Sequence, residues 1–321
     1  MPADKRSRKG SLISLVAPVY NEQGGIEKFR ERMVGAMEKA KIDFELIFIN
    51  DGSKDDSLLL LLQMAQKDKR IKVINFSRNF GHQIAVSAGM DYASGDAAVI
   101  IDADLQDPPE VVPDLVARWE DGYEVVNALR KTRQDSIFKK FTADMFYHGL
   151  NMLLSYKIPE NVGDFRLLDR RPLDTIKRMR ERDRYIRGMT NWIGFDQTLV
   201  GYDRDKRFAG KSGYPLKKML ALASNALFSF SNFPLKMAHL AFATFFCLAI
   251  LVSIYAVLMK LGGFNVPGWT FQVLITVLFG TIQMFVLAII SEYVGRSYRQ
   301  GQDRPLYIVS DTTNLEEKKS T

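Results

Sequence analysis

Strand-like and helix-like segments alternate through the first part of the chain, and this alternation constrains the fold more than any other feature. Short apolar runs begin near residues 12, 44, 71, 97 and 123, and a helical pattern follows each of the first four. Parallel strands need long crossover connections, which are usually helices. The alternation therefore predicts an α/β fold with a mostly parallel sheet and helices on both faces.

Less regular elements follow this alternating region. The pattern predicts a charged helix over 172–187, a strand over 191–200 and a short strand over 306–309. The residues from Asp311 onward are polar, and we expect them to be disordered.

Polar residues occupy the ends of the predicted strands, where open α/β sheets bind their ligands. They are Tyr20-Asn21-Glu22, Asp51-Gly52-Ser53, Arg78-Asn79, and Asp102 with Asp104. No Gly-x-Gly-x-x-Gly pattern follows the first strand, and no Walker A pattern occurs in the sequence. The sequence therefore disfavours a dinucleotide-binding domain and suggests that polar side chains hold a base and ribose.

Asp102 and Asp104 follow the apolar run 99–101, and on an extended segment their spacing places both side chains on one face. Adjacent carboxylates repel each other unless a cation lies between them, and oxygen ligands suit Mg²⁺ or Mn²⁺. Mg²⁺ usually keeps coordination places for substrate phosphates, so the pair predicts a metal that holds a phosphorylated substrate. The alternative is a solvated acidic loop, and this pair alone does not decide between them.

The formal net charge of +7 is compatible with a nucleic-acid partner. No nucleic-acid-binding motif occurs, however, and the basic residues collect near the apolar stretches, so a nucleic-acid partner is not expected. Cys247 is the single cysteine, which excludes a disulfide framework and a cysteine-based metal site. Residues 1–10 predict a disordered basic tail that could touch anionic lipid.

Two long uncharged stretches lie in the last third of the chain. No charged residue occurs between Lys236 and Lys260, and the second predicted span is Trp269 to Ile290. Helices of this length can cross a bilayer. Basic residues flank the two stretches, namely Lys211, Lys217, Lys218, Lys236, Arg296, Arg299 and Arg304. The positive-inside rule then predicts a hairpin in the cell (inner) membrane, with both termini and the α/β domain in the cytoplasm.

Two further segments, Ser136–Tyr156 and Leu216–Phe230, are amphipathic. Such a segment can lie in a bilayer interface or pack on the sheet as an ordinary helix. We expect the interface for Leu216–Phe230 because a span follows it closely, whereas both interpretations stay open for Ser136–Tyr156. The apolar spans could also support packing into a homo-oligomer.

Four motifs stand in order along the chain: Ala17-Pro18-Val19-Tyr20-Asn21-Glu22, Asn50-Asp51-Gly52-Ser53, Asp102-Ala103-Asp104-Leu105-Gln106-Asp107-Pro108-Pro109-Glu110 and Gly163-Asp164-Phe165-Arg166. Together they resemble glycosyltransferase family 2. Within that family the chain looks like the polyprenyl-phosphate glycosyltransferases, which include dolichyl-phosphate mannose synthase, bactoprenol glucosyltransferases and undecaprenyl-phosphate aminoarabinose transferases. The two predicted spans fit the bactoprenol glucosyltransferase branch best. The resemblance implies a GT-A fold and a nucleotide-sugar donor.

The resemblance also implies roles for individual residues. The nucleotide-sugar would bind Pro18, Tyr20, Glu22, Asp51, Arg78 and Asp102. The metal and the diphosphate would bind Asp102, Asp104 and Gln106. Acceptor or diphosphate oxygens would meet Arg130, Arg133, Lys139, Arg166, Lys211 and Ser212. The implied catalytic residues are Asp104, Asp164 and Arg207, the last on a loop that closes over both phosphates.

Two departures from related patterns refine this expectation. The family often has Ser-Lys-Tyr in the closing loop, whereas this chain has Ser212-Gly213-Tyr214, so Lys211 could replace the missing lysine. The Gln-x-x-Arg-Trp signature of processive synthases is absent from the sequence, which favours a single transfer.

The implied reaction is one inverting displacement that gives a β-linked product. A phosphate monoester is largely ionised at neutral pH, so its oxygen needs positioning more than a general base. We therefore expect Asp164 to orient a sugar hydroxyl or a basic neighbour such as Arg166, although a general-base role stays open. Other interpretations also stay open: Asp51 could cap the helix that follows it, and His82 is expected only to fix its loop.

The predicted organisation has five parts: a disordered basic tail over 1–10, a GT-A catalytic domain over 11–214, an interfacial amphipathic helix over 215–234, a transmembrane hairpin over 235–293 and a cytoplasmic segment over 294–321. The predicted function is transfer of a hexose, best glucose from UDP-glucose, onto undecaprenyl or another polyprenyl phosphate. The alternatives are the same reaction with GDP-mannose or a UDP-aminoarabinose-type donor, a metal-dependent nucleotidyltransferase, and a membrane-anchored scaffold with a degenerate transferase domain.

Overall fold

An eight-stranded sheet organises the computed structural model, which describes residues 8–131, 162–204, 233–262 and 268–315. The strands are β1 (Ile13–Val19), β2 (Phe44–Asn50), β3 (Ile71–Phe76), β4 (Ala97–Ile100), β5 (Val125–Arg130), β6 (Val162–Asp169), β7 (Gln197–Tyr202) and β8 (Val309–Thr313). The helices are α1 (Ile26–Ala40), α2 (Ser57–Lys67), α3 (His82–Tyr92), α4 (Val112–Glu120), α5 (Arg170–Arg178), α6 (Ile186–Trp192), α7 (Phe233–Leu261) and α8 (Trp269–Gly301). A 3₁₀ turn, Pro109–Val111, precedes α4.

The strand order is β7-β5-β6-β4-β1-β2-β3-β8. Parallel pairs join β1 to β2 and β4, β2 to β3, and β5 to β7. Antiparallel pairs join β6 to β4 and β5, and β8 to β3. The predicted α/β class with a mostly parallel sheet is thus confirmed, and the carboxyl ends of β1 to β4 meet at one edge.

The register of the strands determines how far each strand extends toward that edge before its loop begins. Val19 of β1 pairs with Asn50 of β2, and Asn50 in turn pairs with Asn75 of β3. The last residue of β4, Ile100, pairs with Val16, so β4 ends three residues before β1 does. The chain after Ile100 therefore crosses the sheet edge as a turn, and the sequence-based assumption of an extended segment at Asp102 and Asp104 is wrong.

The core lies on both faces of the central strands. Every residue of β1 and β2 is buried, as expected for parallel strands covered on both sides. Gly89 allows α3 to lie directly on β1, because a Cβ at this position would come 2.3 Å from Cγ1 of Val16. This close approach brings the first turn of α3 to the edge where the strands end.

The region after β6 differs from the sequence-based prediction. The helix predicted over 172–187 is two helices, α5 and α6, because the segment between them turns inward. Arg184 there is buried and donates to the carbonyl oxygens of Met179 and Ile176. The strand predicted over 191–200 begins only at Gln197.

Both ends of the described chain are tied to the sheet. Arg8 lies over the Trp119 ring at 5.1 Å and pairs with Asp169 at 3.1 Å, so the expected disorder of residues 1–10 does not extend to Arg8. The expected disorder from Asp311 is also wrong, because β8 pairs with β3 and the Tyr307 ring stacks on Phe76. The reason is that β3 otherwise presents unpaired backbone groups at the sheet edge.

The described chain divides into two compact units. The larger comprises residues 8–131, 162–204 and 305–315, and the second comprises 233–262 and 268–304. In the second unit, Phe245 of α7 contacts Phe279 of α8 edge-to-face at 6.0 Å. The segments Pro234–Met259 and Ile275–Gly301 have mean hydropathies of 2.5 and 1.9, so both are long and apolar enough to cross a membrane. Helix α8 continues beyond the predicted end of the second span at Ile290.

Candidate active site

A cavity of about 500 Å³ opens at the carboxyl ends of β1, β2 and β4. Its wall contains Pro18, Val19, Tyr20, Glu22, Asp51, Asn79, Gly81, His82, Ala85, Asp102, Ala103 and Asp104. The structure therefore brings together five of the six predicted nucleotide-sugar residues and two of the three predicted metal ligands. Tyr20 is 44% exposed, so its ring is available at the cavity entrance.

The turn after β4 places both aspartates in this cavity. Its conformation depends on Leu105, which has φ of +61° while its side chain is buried. This left-handed conformation costs a non-glycine residue about 1–2 kcal/mol, which burial of the leucine side chain offsets. The backbone N–H of Gln106 donates to Oδ1 of Asp104 at 3.0 Å and closes the turn.

Asp102 has a carboxylate oxygen, Oδ1, that accepts no hydrogen bond from the described part of the chain. Burial raises the pKa of Asp102 to about 6, and the neighbouring Asp164 carboxylate adds to this effect while His82 opposes it. An inward-facing carboxylate oxygen without a donor is available to a cation or a ligand hydroxyl.

His82 lies between Asp102 and Asp164 at the start of α3. Its Nε2 is 3.6 Å from Oδ1 of Asp102 and 3.4 Å from Oδ2 of Asp164. Burial alone would lower the pKa of His82, but the two carboxylates raise it to about 9. The two carboxylates favour the charged imidazole, which lies between them at the start of α3.

Asp164, on β6, is held by groups from two helices. Arg187 of α6 donates from Nε to Oδ1 at 2.8 Å, and Gln83 of α3 donates to Oδ2 at 3.3 Å. Although burial would raise the pKa of Asp164, Arg187 and His82 hold it well below its usual range. The Gln83 side chain also accepts from the backbone N–H of Ile186 at 2.9 Å, which joins the first turns of α3 and α6.

Asp51 holds the loop between β3 and α3. Its Oδ1 accepts from the Phe80 N–H at 2.7 Å, and its Oδ2 accepts from the Gly81 N–H at 3.0 Å. Burial raises the pKa of Asp51, and these two backbone hydrogen bonds oppose the increase. The alternative role of Asp51 as a cap is not seen, because the carboxylate of Asp55 accepts from Ser57 N–H at the start of α2.

Two predicted phosphate-binding or nucleotide-binding arginines are engaged elsewhere. Arg166 is 1% exposed and donates to the carbonyl oxygens of Gly163 at 2.7 Å and Asp164 at 3.3 Å. This burial does not support a direct phosphate contact, and it lowers the pKa of Arg166 to about 10. Arg78 lies outside the cavity wall, with its guanidinium 4.0 Å from the centre of the Phe80 ring.

Gln106 and Arg130, also predicted from the sequence, are not part of the described cavity wall. Gln106 accepts from Arg204 at 2.8 Å through its side-chain oxygen. Arg130 lies 3.5 Å from Oδ2 of Asp107 and donates to the hydroxyl of Tyr202 at 3.1 Å. The remaining predicted residues fall outside the described chain: Arg133, Lys139, Arg207, Lys211 and Ser212, together with the amphipathic segments Ser136–Tyr156 and Leu216–Phe230.

The donor set of the cavity fits a divalent cation that shares its ligands with a substrate. Among the residues that the structure describes, no three His, Cys, Asp or Glu side chains form a cluster able to hold a metal on their own. Asp102 and Asp104 supply two carboxylates on one turn, and Oδ1 of Asp102, although His82 lies 3.6 Å away, accepts no hydrogen bond from the described residues and can bind a cation. Mg²⁺ typically takes one or two protein carboxylates and completes its coordination with water and phosphates.

Sequence reasoning missed several residues of the site. These are Gln83, Asp107, Arg187, Tyr202 and Arg204, and His82 was expected only to fix its loop. Asp107 stands inside the third of the four motifs, which was an available signal, whereas Gln83 follows His82 and lies in no motif. Arg187 lacked a signal, because its partner Asp164 is distant in sequence.

The model of glycosyl transferase family 2 matches residues 14–177, and the chain therefore belongs to this family. Its α/β sheet is accordingly of the GT-A type, as predicted.

Relatives match nearly the whole chain. A Bacillus subtilis (strain 168) protein, the uncharacterized glycosyltransferase YkcC, is 46% identical over 308 residues, which is 95% of each chain. The prophage bactoprenol glucosyl transferase homolog of Escherichia coli (strain K12) is 38% identical, covering 92% of this chain and 98% of its own length. The bactoprenol glucosyl transferase of Shigella phage SfV is 37% identical, with coverages of 93% and 98%.

Among solved structures, the chain is similar to glucosyl-3-phosphoglycerate synthase from Mycobacterium tuberculosis in complex with Mn²⁺, UDP-glucose and phosphoglyceric acid. The identity is 21% and the TM-score 0.44, over 68% of this chain and 78% of that one.

Proposed function

We propose that this protein is a membrane-bound inverting glucosyltransferase that moves glucose from UDP-glucose onto undecaprenyl or another polyprenyl phosphate. The observation that carries the proposal is the cavity at the ends of β1, β2 and β4, where the paired carboxylates Asp102 and Asp104 face the first two strand-end loops. Relatives named bactoprenol glucosyl transferase, 36–38% identical over most of the chain, support glucose as the sugar and a polyprenyl acceptor.

The donor fits the cavity as a nucleoside diphosphate linked to a sugar. Tyr20 offers an exposed ring for stacking on a base, while Glu22 and Asp102 offer oxygens to hydroxyl groups. The walls from Pro18 and Val19 are apolar and lie beside these groups, as in most small-molecule sites.

Asp102 and Asp104 are the residues that would hold a divalent cation, either Mg²⁺ or Mn²⁺. When bound, such a cation offsets the charge that develops on the leaving diphosphate. Gln106 stays a predicted ligand, although in this structure its side-chain oxygen accepts from Arg204.

The acceptor phosphate oxygen is the nucleophile, and it is largely ionised at neutral pH. It attacks the anomeric carbon of the sugar, the bond to the diphosphate breaks, and the diphosphate leaves with the bonding electrons. Asp164 is paired with Arg187 and has a lowered pKa, so it is poorly suited to accept a proton. We therefore assign Asp164 an orienting role, in which it fixes Arg187, His82 and a sugar hydroxyl.

The path of the chain supports membrane attachment through a hairpin. Helices α7 and α8 are long and apolar enough to cross a bilayer, and β8, which follows them, belongs to the same sheet as β1 to β7. A chain that leaves the sheet and returns to it must cross the membrane an even number of times. Two crossings satisfy this condition, and the basic residues near both ends favour the cytoplasm for the catalytic unit.

A donor screen tests the proposal. The full chain, purified in lipid nanodiscs with undecaprenyl phosphate and Mg²⁺ or Mn²⁺, is given radiolabelled UDP-glucose, GDP-mannose or a UDP-aminoarabinose derivative. We expect lipid-linked glucose from UDP-glucose. Transfer from another donor would replace the sugar assignment, and absence of lipid-linked sugar with every donor would favour a non-enzymatic scaffold.

A further inference from the structure

A buried ionic cluster lies next to the β4 turn, outside the cavity wall. Its centre is the carboxylate of Asp107, which is 1% exposed. The hydroxyl of Tyr202 donates to Oδ1 at 2.5 Å, and Nε of Arg204 is 3.5 Å from the same oxygen. Nη2 of Arg130 is 3.5 Å from Oδ2. A buried carboxylate is tolerated only with such pairing, so these side chains fix one another.

Additional contacts join three separate parts of the chain through this cluster. Arg130, at the end of β5, donates from Nε to the hydroxyl of Tyr202, at the end of β7. The backbone N–H of Lys131 donates to the carbonyl oxygen of Tyr202 at 2.8 Å. Arg204 donates to Gln106, which belongs to the turn that carries Asp102 and Asp104. The cluster therefore links the β4 turn to the ends of β5 and β7.

The position of Arg130 depends on the cluster and on one glycine. Its guanidinium packs over Gly163, where a Cβ would lie 2.7 Å from Nη2. Asp107 raises the pKa of Arg130 against the effect of burial, and Asp102 of the β4 turn does so to a smaller extent, so the guanidinium lies within electrostatic range of that turn. No described residue accepts a hydrogen bond from Nη1 of Arg130, so donors remain for an anion.

We propose that Asp107 is a positioning residue that holds Arg130 and Arg204 against the β4 turn, so that Arg130 presents its remaining N–H groups to a substrate phosphate. The inference rests on the proposed function and adds to it a determinant of phosphate binding. Arginine suits this role because its donors are planar and rigid, and a neighbouring carboxylate fixes the plane.

The test compares three variants of the full chain in nanodiscs. Tyr202→Phe removes the hydroxyl that joins Asp107 to Arg130, and Gly163→Ala displaces the Arg130 guanidinium from the opposite side. Tyr307→Phe is the matched control, because Tyr307 donates to Asp91 at 2.9 Å in another tyrosine–aspartate pair, which is half-buried and away from the cavity. KM for UDP-glucose, KM for undecaprenyl phosphate, kcat and the unfolding temperature are measured for each variant.

We expect Tyr202→Phe and Gly163→Ala to raise one of the two KM values about tenfold, the effect of one hydrogen bond to a charged group, with a much smaller change in kcat. The substrate whose KM rises identifies the phosphate that Arg130 meets. Tyr307→Phe should lower the unfolding temperature about as much as Tyr202→Phe and leave both KM values unchanged.

Two results would overturn the inference while the wild type still transfers sugar. In one, both KM values of Tyr202→Phe and Gly163→Ala stay within about twofold of wild type, well below the expected change. In the other, Tyr307→Phe raises KM equally, which would indicate a purely structural effect. A wild type without transfer activity would instead refute the proposed function, and this inference with it.

Discussion

Arg187 donates from Nε to Oδ1 of Asp164 at 2.8 Å and so ties the first turn of α6 to β6 at the sheet edge. The pair has two consequences. The Asp164 carboxylate stays ionised although it is mostly buried, and its orientation is fixed before any substrate arrives. Enzymes gain from such preorganised charges because no reorganisation is needed during the reaction.

We expect Arg187→Gln to lower kcat by about tenfold or more, because it removes a charge-assisted hydrogen bond from Asp164. The pKa of Asp164 should then rise toward its ordinary value, so activity should disappear at a higher pH than in wild type as the solution is acidified. Transfer rates measured from pH 8 to pH 4 test this shift.

Arg178→Gln is the matched control, since Arg178 is an exposed arginine on α5. An unchanged acid limb in Arg187→Gln would contradict the pairing role of Arg187. Near-normal turnover of Asp164→Asn would contradict both an orienting and a general-base role for Asp164.

Asp104→Asn should abolish transfer and leave the fold intact. The change removes one carboxylate from the turn that would hold the cation, while the amide oxygen can still accept from the backbone N–H of Gln106. Asp114→Asn, on the exposed side of α4, is the control and should retain wild-type activity. Substantial activity of Asp104→Asn with Mn²⁺ would refute the assignment, provided that its unfolding temperature equals that of wild type.

The sheet and the cavity were predictable because they follow from local patterns. Apolar runs predicted β1 to β5. The polar residues that follow these strands predicted that Tyr20, Asp102 and Asp104 would be neighbours, and all three line the cavity. Parallel strands have all their carboxyl ends at the same edge of the sheet, so the residues that follow them become neighbours whatever the detailed register.

The contacts that fix the site were not predictable, because each joins residues that are distant in sequence. Asp164 and Arg187 meet only because β6 inserts antiparallel between β4 and β5, an arrangement that periodicity does not specify. The pairing of β8 with β3 was missed for a similar reason. The sequence of β8, Val-Ser-Asp-Thr-Thr, is polar, and its strand conformation depends on the free edge of β3.

Removal of residues 305–321 should destabilise the catalytic unit and cause self-association. The truncation exposes the edge of β3 and removes the ring of Tyr307 from Phe76. It also removes Asn314, whose side-chain N–H groups donate to the carbonyl oxygens of Ala65 and Ile71. Size-exclusion chromatography and thermal unfolding test the prediction, and a monodisperse truncated protein with the wild-type unfolding temperature would contradict it.

The buried carboxylate of Glu45 should make stability depend on pH. It accepts from the Ser14 hydroxyl at 2.5 Å and from the Ser94 N–H at 2.7 Å, and it pairs with Lys72. Burial would raise the pKa of Glu45, but the contacts with Lys72, Ser14 and Ser94 together hold it below its ordinary value. A group with a lowered folded-state pKa stabilises the fold above its unfolded pKa, near 4.3, and the stabilisation is lost as pH falls through the folded pKa.

We therefore expect Glu45→Gln to lower the free energy of unfolding by about 1–3 kcal/mol at pH 7. The difference from wild type should shrink below about pH 4, because both proteins then carry a neutral group at this position. Unfolding curves at several pH values test this, with Glu31→Gln on the exposed face of α1 as the control. A difference that stays constant down to pH 3 would show that shape, and not charge, is responsible.

Gly52 and Gly81 separate backbone strain from steric clash beside the same cavity. Both have positive φ, +67° and +99°, so alanine is strained at either position, and Gly81, with ψ of 152°, lies in a region that is essentially restricted to glycine. A Cβ on Gly52 would also lie 2.6 Å from the backbone nitrogen of Asn79, whereas a Cβ on Gly81 would meet no atom within 4 Å. Because the obstructing atom is backbone, Gly52→Ala must displace the loop that Asp51 holds, and we expect a larger loss of UDP-glucose binding than in Gly81→Ala. Calorimetric titration with UDP-glucose and thermal unfolding of both variants test the contrast, and equal behaviour of the two would show that the loop moves freely away from Gly52.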